Sequence, residues 1–223
     1  MKKLTLILFL LVSLLELITH FFNLAELHHY TKPLLLITLG LYYYFAAGKE
    51  VLSKLILLAL FFSWLGDVLL MYQHKNELYF IFGLSAFLVA HVFYIFIYKR
   101  FRMDDDSQAL LGVQRFRYSF PIILAGTGLM TVLYNHLGDL KIPVIVYGLV
   151  LVLMVLNALF RFGRTSLKSF AMVFFGATLF MISDSLIAIH KFLMPVEHSD
   201  FWVMVTYIPA QYLIVEGLLQ HKE

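Results

Sequence analysis

The sequence contains no cysteine. That absence excludes disulfides, thiolate zinc sites and cysteine nucleophiles, and it is neutral about redox compartment. Charge is scarce too: Asp, Glu, Lys and Arg make up 14% of the 223 residues, against about 25% in an ordinary soluble domain. So little charge leaves no room for a separate soluble module, and residues 1–223 read as a single domain. Proline is sparse, with five in all, and Pro209 is the main interruption within an apolar run. Several chemical signatures are missing as well. There is no Gly-x-Ser-x-Gly elbow, no His-Glu-x-x-His helix, no P-loop and no dinucleotide fingerprint. The formal charge of +3 does not signal nucleic acid, because the basic residues sit at the ends of apolar runs rather than in a patch with exposed aromatics.

What is present is apolar: 61% of the chain. Eight runs approach the roughly 17–25 residues that cross a bilayer as a helix: Leu4–Phe22, Pro33–Ala47, Leu55–Tyr72, Leu78–Tyr98, Tyr118–His136, Ile142–Phe160, Ser169–Ile189 and Phe201–Leu219. The fold class is therefore all-α, a polytopic transmembrane bundle of eight helices. Lys2 and Lys3 before Leu4–Leu15 resemble a signal sequence, but the apolar stretch runs on to Phe22 without an Ala-x-Ala site. It is expected to be the first membrane helix. The longest connection, Lys99–Arg117, carries Asp104–Asp106 and reads as a solvated loop.

Basic residues orient the bundle. Thirteen fall in one set of alternate connections: Lys2, Lys3, Lys49, Lys54, the five between Lys99 and Arg117, Arg161, Arg164, Lys168 and Lys222. Only Lys32, Lys75, Lys141 and Lys191 fall in the other. The positive-inside rule then places both termini in the cytoplasm. The expected location is a bacterial inner membrane.

Ionisable side chains at membrane depth cost several kcal/mol and face the bundle interior or a wet cavity. Asp67 falls about one turn inside the non-cytoplasmic end of the third run, and Asp184 about one and a half turns inside the same end of the seventh. Glu16 opens a stripe with His20 and Asn23, and Tyr207 with Gln211 forms another in the eighth run. Lys32 opens the second run on the same side. Glu16, Lys32, Asp67, Asp184 and Tyr207 thus share one outer-half layer, the candidate site. His91 sits deeper, with Tyr94 and Tyr98 continuing its face, and Glu216 belongs to the opposite layer. A lone intramembrane Asp serves as interhelical glue about as often as it serves function. Two at matched depth, with a cation nearby, favour a shared site, and they are expected to face one cavity lined by Lys32 and Tyr207. His28 and His29 are expected in the connection before the second run, without the spacing that places two imidazoles on one metal. No metal site is expected.

The segments that carry these carboxylates resemble the lysoplasmalogenase family, the YhhN-like integral membrane hydrolases. The matching pieces are Thr31-Lys32-Pro33-Leu34, Trp64-Leu65-Gly66-Asp67-Val68-Leu69-Leu70-Met71, Phe82-Gly83-Leu84 and Phe87-Leu88-Val89-Ala90-His91-Val92-Phe93-Tyr94. Leu179–Ala188 around Asp184 and Tyr207–Ile214 around Gln211 complete six segments in register. The resemblance implies hydrolysis of the vinyl ether bond of a lysophospholipid substrate, a lysoplasmalogen, within the membrane lipids. The products would be a fatty aldehyde and a glycerophosphoethanolamine or glycerophosphocholine. A vinyl ether hydrolyses by protonation at its β-carbon, and water captures the oxocarbenium ion. Glycosidases meet a similar demand with two carboxylates. An apolar bundle favours the proton-bearing form of one carboxyl, while a neighbouring Lys keeps another ionised. Asp184 is expected to be the acid, because no basic residue lies near it in sequence. Asp67 is then the carboxylate, partnered by Lys32 unless that side chain contacts the phosphate. Tyr207, Gln211, His91 and Glu16 are further substrate-site candidates, and no cofactor is required. Two other classes stay open: a proton-coupled transporter of small molecules or lipids, which would show repeats and broken spans, and a zinc-dependent, ceramidase-like membrane hydrolase, which needs several histidines at membrane depth.

Overall fold

The computed structural model describes residues 1–22, 24–48, 52–104 and 107–221. Asn23, Lys49, Asp105, Asp106 and Lys222, which entered the sequence reading, lie outside the described residues. Eight α-helices follow one another: α1 Lys2–Phe21, α2 Ala25–Ala46, α3 Lys54–Met71, α4 Glu77–Arg100, α5 Gly112–Leu133, α6 Lys141–Leu159, α7 Leu167–Phe192 and α8 Ser199–Leu219. Two short 3-10 turns, Tyr134–His136 and Gly138–Leu140, join α5 to α6. The described residues contain no strand. This is an all-α integral membrane protein, and seven of the helices are long and apolar enough to cross a bilayer.

The remaining helix, α2, is long enough at 22 residues. His28, His29, Lys32 and three consecutive tyrosines dilute its apolar character. It begins at Ala25, eight residues before the expected Pro33, so His28 and His29 lie in the helix and not in a connection. Hydropathy finds apolar runs, and the polar first turns of a helix escape it. Glu26 in the first turn suits the positive end of the helix dipole. Pro33 has no N–H to offer the turn before it, and the indole Nε1 of Trp64 on α3 donates to the Pro33 carbonyl at 3.1 Å. The α4–α5 connection is also shorter than Lys99–Arg117, because α4 runs to Arg100 and α5 starts at Gly112.

Apart from α4 and α5, successive helices pair as hairpins, most intimately α7 with α8, α3 with α4 and α1 with α2. Helix α8 lies against α7, α1 and α2, while α4 bridges α3 and α6 and α5 stays peripheral. The core holds Leu39, Tyr43, Ile56, Ala90, Ile97, Val173 and Ile214, all buried. The outer surface is a belt of exposed Leu, Ile and Phe, including Leu14, Phe61, Phe96, Leu149 and Phe175. Such a surface is stable in lipid and would aggregate in water.

Close approach in α7–α8 depends on Gly176. A Cβ there would stand 2.9 Å from the Ala210 carbonyl oxygen and 3.0 Å from the Ile214 nitrogen, so backbone meets backbone as in small-residue membrane packing. At the end shared by the two termini, Arg161 is fully buried. Its Nε donates to the Phe101 carbonyl at 3.0 Å and its Nη2 to Ser169 Oγ at 2.9 Å. Ser169 Oγ donates in turn to the Gly217 carbonyl at 2.6 Å. That lock belongs to the end of the bundle away from Asp67 and Asp184.

Candidate active site

Asp67 lies near the end of α3, next to Gly66. A Cβ on Gly66 would stand 2.5 Å from the Phe87 ring, so the missing side chain lets that ring pack directly beside the carboxylate's helix turn. Asp67 is buried. The Tyr207 hydroxyl on α8 donates to its Oδ2 at 2.7 Å. The same hydroxyl accepts from Gln211 Nε2 at 3.2 Å, and Gln211 Oε1 accepts from the Tyr94 hydroxyl of α4 at 2.7 Å. One relay, Tyr94–Gln211–Tyr207–Asp67, therefore spans three helices, with Gln211 and Tyr207 each accepting from one neighbour and donating to the next. Tyr207 and Gln211 point the same way because they are one helical turn apart.

Asp184, on α7, has its own partner. The Tyr147 hydroxyl of α6 donates to Asp184 Oδ2 at 2.5 Å, and His91 Nε2 of α4 lies 3.8 Å from the same oxygen. His91 is fully buried, and neither ring nitrogen has a hydrogen-bond partner among the described residues. The imidazole sits among rings instead, with centroids 4.8 Å from Phe180 and 5.3 Å from Tyr147. Asp184 is the only carboxylate on an apolar slot of about 50 Å³ lined by Leu84, Met130, Val144, Leu151, Ala188 and Phe192 among others.

The expectation of one cavity lined by both aspartates, Lys32 and Tyr207 needs correction. Asp67, Lys32 and Tyr207 do not line the slot. Phe87 and Phe180 stand between the two halves, each packed edge-on against the other at 6.1 Å and against Tyr207 at 6.1 and 5.4 Å. The reason is that Phe87 of α4 and Phe180 of α7 both pack on Tyr207, so rings rather than open space adjoin the Asp67 relay. Each aspartate keeps its own tyrosine, Tyr207 for Asp67 and Tyr147 for Asp184. Lys32 follows Thr31, whose hydroxyl holds Glu16.

Glu16 is fully buried and carries its own cluster. His20 Nε2 lies 3.1 Å and His28 Nδ1 2.9 Å from its Oε1, while the Thr31 hydroxyl donates to Oε2 at 2.5 Å. Among the described residues, Glu16, His20 and His28 form the group that could hold a metal ion. Glu216 is elsewhere: it accepts from the Tyr42 hydroxyl at 2.5 Å and from Gln220 Nε2 at 2.8 Å.

Sequence reasoning missed Tyr147, Phe87, Phe180 and the roles of Thr31 and His28. Tyr147 did leave a signal, as the one hydroxyl in the otherwise aliphatic first half of its run. The aromatic pair left none, because Phe is common on every face of these helices.

Comparison with known proteins places the chain among relatives. The family model described as YhhN family matches residues 27–218. Lysoplasmalogenase TMEM86B of Homo sapiens is 31% identical over 163 residues, covering 73% of this chain and 62% of the relative. Lysoplasmalogenase TMEM86A of Bos taurus is 28% identical, with 75% of this chain and 66% of the relative covered. The lysoplasmalogenase of Mycobacterium tuberculosis is 32% identical over 146 residues, 65% of this chain and 52% of the relative. The chain thus spans about half to two thirds of these relatives' lengths. No solved structure matches.

Proposed function

The chain belongs to the YhhN family, and from that premise we propose that it is a membrane lysoplasmalogenase. Its substrate is a lysophospholipid bearing an alkenyl chain, and it releases a fatty aldehyde and a glycerophosphoethanolamine or glycerophosphocholine. The observation that carries the reading is Asp184 on an apolar slot, with its carboxylate held by Tyr147. A proton donor for a vinyl ether must meet a carbon atom inside an acyl-like chain, so it belongs where hydrocarbon is bound. At about 50 Å³ the slot is narrow, and α5, the peripheral helix on its wall, is the element free to yield.

Protonated Asp184 transfers its proton to the β-carbon of the vinyl ether, and the C=C electrons form that C–H bond. The α-carbon and its oxygen become an oxocarbenium ion. Asp67, across the Phe87–Phe180 pair and with Lys32 on its side, stabilises the cation by charge, and the Asp184 carboxylate left by the first step takes a proton from the attacking water. The resulting hemiacetal collapses to aldehyde and alcohol, with the C–O bond electrons and one proton going to the glycerol oxygen. Positioned acid–base catalysis of this kind contributes on the order of 10²–10⁴-fold. Tyr207 and Gln211 fix Asp67, His91 fills the space beside Asp184, and Glu16 with Lys32 sets the charge around Asp67.

We place the protein in a bacterial inner membrane with both termini cytoplasmic, as the basic asymmetry supports. The test is purified protein in mixed micelles with a lysoplasmalogen, assayed for aldehyde. The matching saturated alkyl ether is the control, since it has no double bond to protonate. Aldehyde from the first and none from the second is expected. Failure to release aldehyde from any alkenyl lysophospholipid, in folded protein, overturns the assignment.

A further inference from the structure

Helices α1 and α2 meet at their connected ends, where three metal-ligating side chains converge. Glu16 and His20 come from one helix and His28 from the next, so only tertiary packing brings them together. Glu16 is completely buried, and the side chains of His20 and His28 keep 11% and 19% of their exposure. One nitrogen of each ring and one carboxylate oxygen lie within 4.8 Å of one another. Around a tetrahedral zinc with bonds of about 2.0–2.1 Å, ligand atoms stand roughly 3.3 Å apart. The Glu16–His20 and Glu16–His28 separations of 3.1 and 2.9 Å are within a few tenths of an ångström of that spacing.

Two features favour an ion over a simple hydrogen-bonded trio. Both imidazoles address the same oxygen, Oε1, and their rings are close, with centroids 4.6 Å apart. Thr31 holds the other oxygen, Oε2, so the carboxylate presents Oε1 alone. Outer-sphere support of this kind orients ligating carboxylates in metal sites.

We propose that Glu16, His20 and His28 bind one divalent transition-metal ion of the zinc class. Two nitrogens and one oxygen suit zinc, cobalt or nickel and disfavour magnesium and calcium, which prefer all-oxygen sites. Three protein ligands leave a fourth position for water, reached past the half-buried imidazoles. The ion joins α1 to α2 at Thr31, one residue from Lys32. The site stands on its own geometry and does not depend on the vinyl ether reaction.

The experiment uses the full chain in detergent, with any affinity tag removed and bound metal stripped by chelator. Titration with zinc chloride in a calorimeter is expected to saturate at one equivalent. Cobalt(II) is expected to give the visible bands of a tetrahedral site, a readout that needs no variant. His28→Ala and His20→Ala should each weaken zinc at least 100-fold. Thr31→Val should weaken it roughly 10–100-fold, as outer-sphere changes do. His198→Ala, at an exposed position, should change nothing. Absence of saturable zinc binding overturns the proposal. So does zinc binding that survives the double variant His20→Ala/His28→Ala, which would place the ion elsewhere.

Discussion

Tyr147 of α6 donates its hydroxyl hydrogen to Asp184 of α7 at 2.5 Å, across a helix boundary and on an apolar slot that both residues line. The bond aims the proton-bearing group at the hydrocarbon. Tyr147→Phe keeps the ring and its contact with His91 but loses the aim. Interhelical hydrogen bonds in membranes are worth about 0.6–2 kcal/mol, so thermal stability should drop only slightly. Turnover should fall about tenfold, part of the range that positioned acid–base groups supply, with KM little changed. A KM rise at constant kcat would show that Tyr147 binds substrate instead.

His91 separates stability from function. Its two ring nitrogens are buried without hydrogen-bond partners, an arrangement that costs about 1–3 kcal/mol. His91→Phe fits the ring cage of Phe87, Phe180 and Tyr147 and removes that cost. The melting temperature should hold or rise, while turnover falls at least tenfold as Asp184 loses the polar ring edge 3.8 Å from its Oδ2. Unchanged turnover would make His91 a packing residue.

Much of this site was legible in the sequence because a charge at membrane depth is expensive and so announces itself. Asp67, Asp184, Glu16, Tyr207 and Gln211 stood out among apolar neighbours, and the structure joins Tyr207 and Gln211 to Asp67. Helix rotation was not legible. Helices α3 and α4 are apolar on nearly every face, so periodicity carries little information about which side meets a neighbour. That is why the Phe87–Phe180 pair between the aspartates came only with the structure. The start of α2 was hidden for the opposite reason, since polar helical turns lie beyond any apolar window, and the pairing of His28 with Glu16 was hidden with it.

Gly176 sets the spacing of the helices that carry Asp184 and Tyr207. An added Cβ meets the backbone of Ala210 and Ile214 at 2.9–3.0 Å, and backbone cannot swing aside as a side chain can. Gly176→Ala should cost about 1–3 kcal/mol, the usual penalty for overpacking, and Gly176→Leu should cost more. Thermal melts in detergent measure this. Gly128→Ala, where nothing lies within 4 Å, is the control, and equal melts for the two Ala variants would contradict the close packing.

Orientation can be read by labelling, because the chain has no cysteine of its own. Single cysteines replacing Lys75 and exposed His198 should react with an impermeant maleimide from outside the cell. A cysteine replacing Lys3 should react only after the membrane is opened. Both follow from an even number of crossings and from the thirteen-to-four distribution of Lys and Arg. Labelling of Lys3→Cys from outside in intact cells would reverse the bundle and move the site to the cytoplasmic half.

Asp67→Asn and Asp184→Asn test the division of labour between the two carboxylates. In each variant the hydroxyl that now donates to the carboxylate, Tyr207 or Tyr147, can donate to the amide oxygen. Volume is kept, and neutralising a buried carboxylate removes a desolvation cost as it loses a charge pairing. The bundle should therefore fold, with near-native melting temperatures. Asn cannot deliver a proton or stabilise a cation by charge, so vinyl ether hydrolysis should fall by roughly 10²–10⁴-fold in either variant. The acid and the carboxylate act in one reaction, so the double variant should be little worse than either single one. Glu216→Gln, in the opposite layer, can still accept from Tyr42 or from Gln220 through its one amide oxygen and should retain most activity. Near-normal turnover in folded Asp184→Asn would remove Asp184 as the acid. The same result in Asp67→Asn would remove Asp67 as the carboxylate that stabilises the cation.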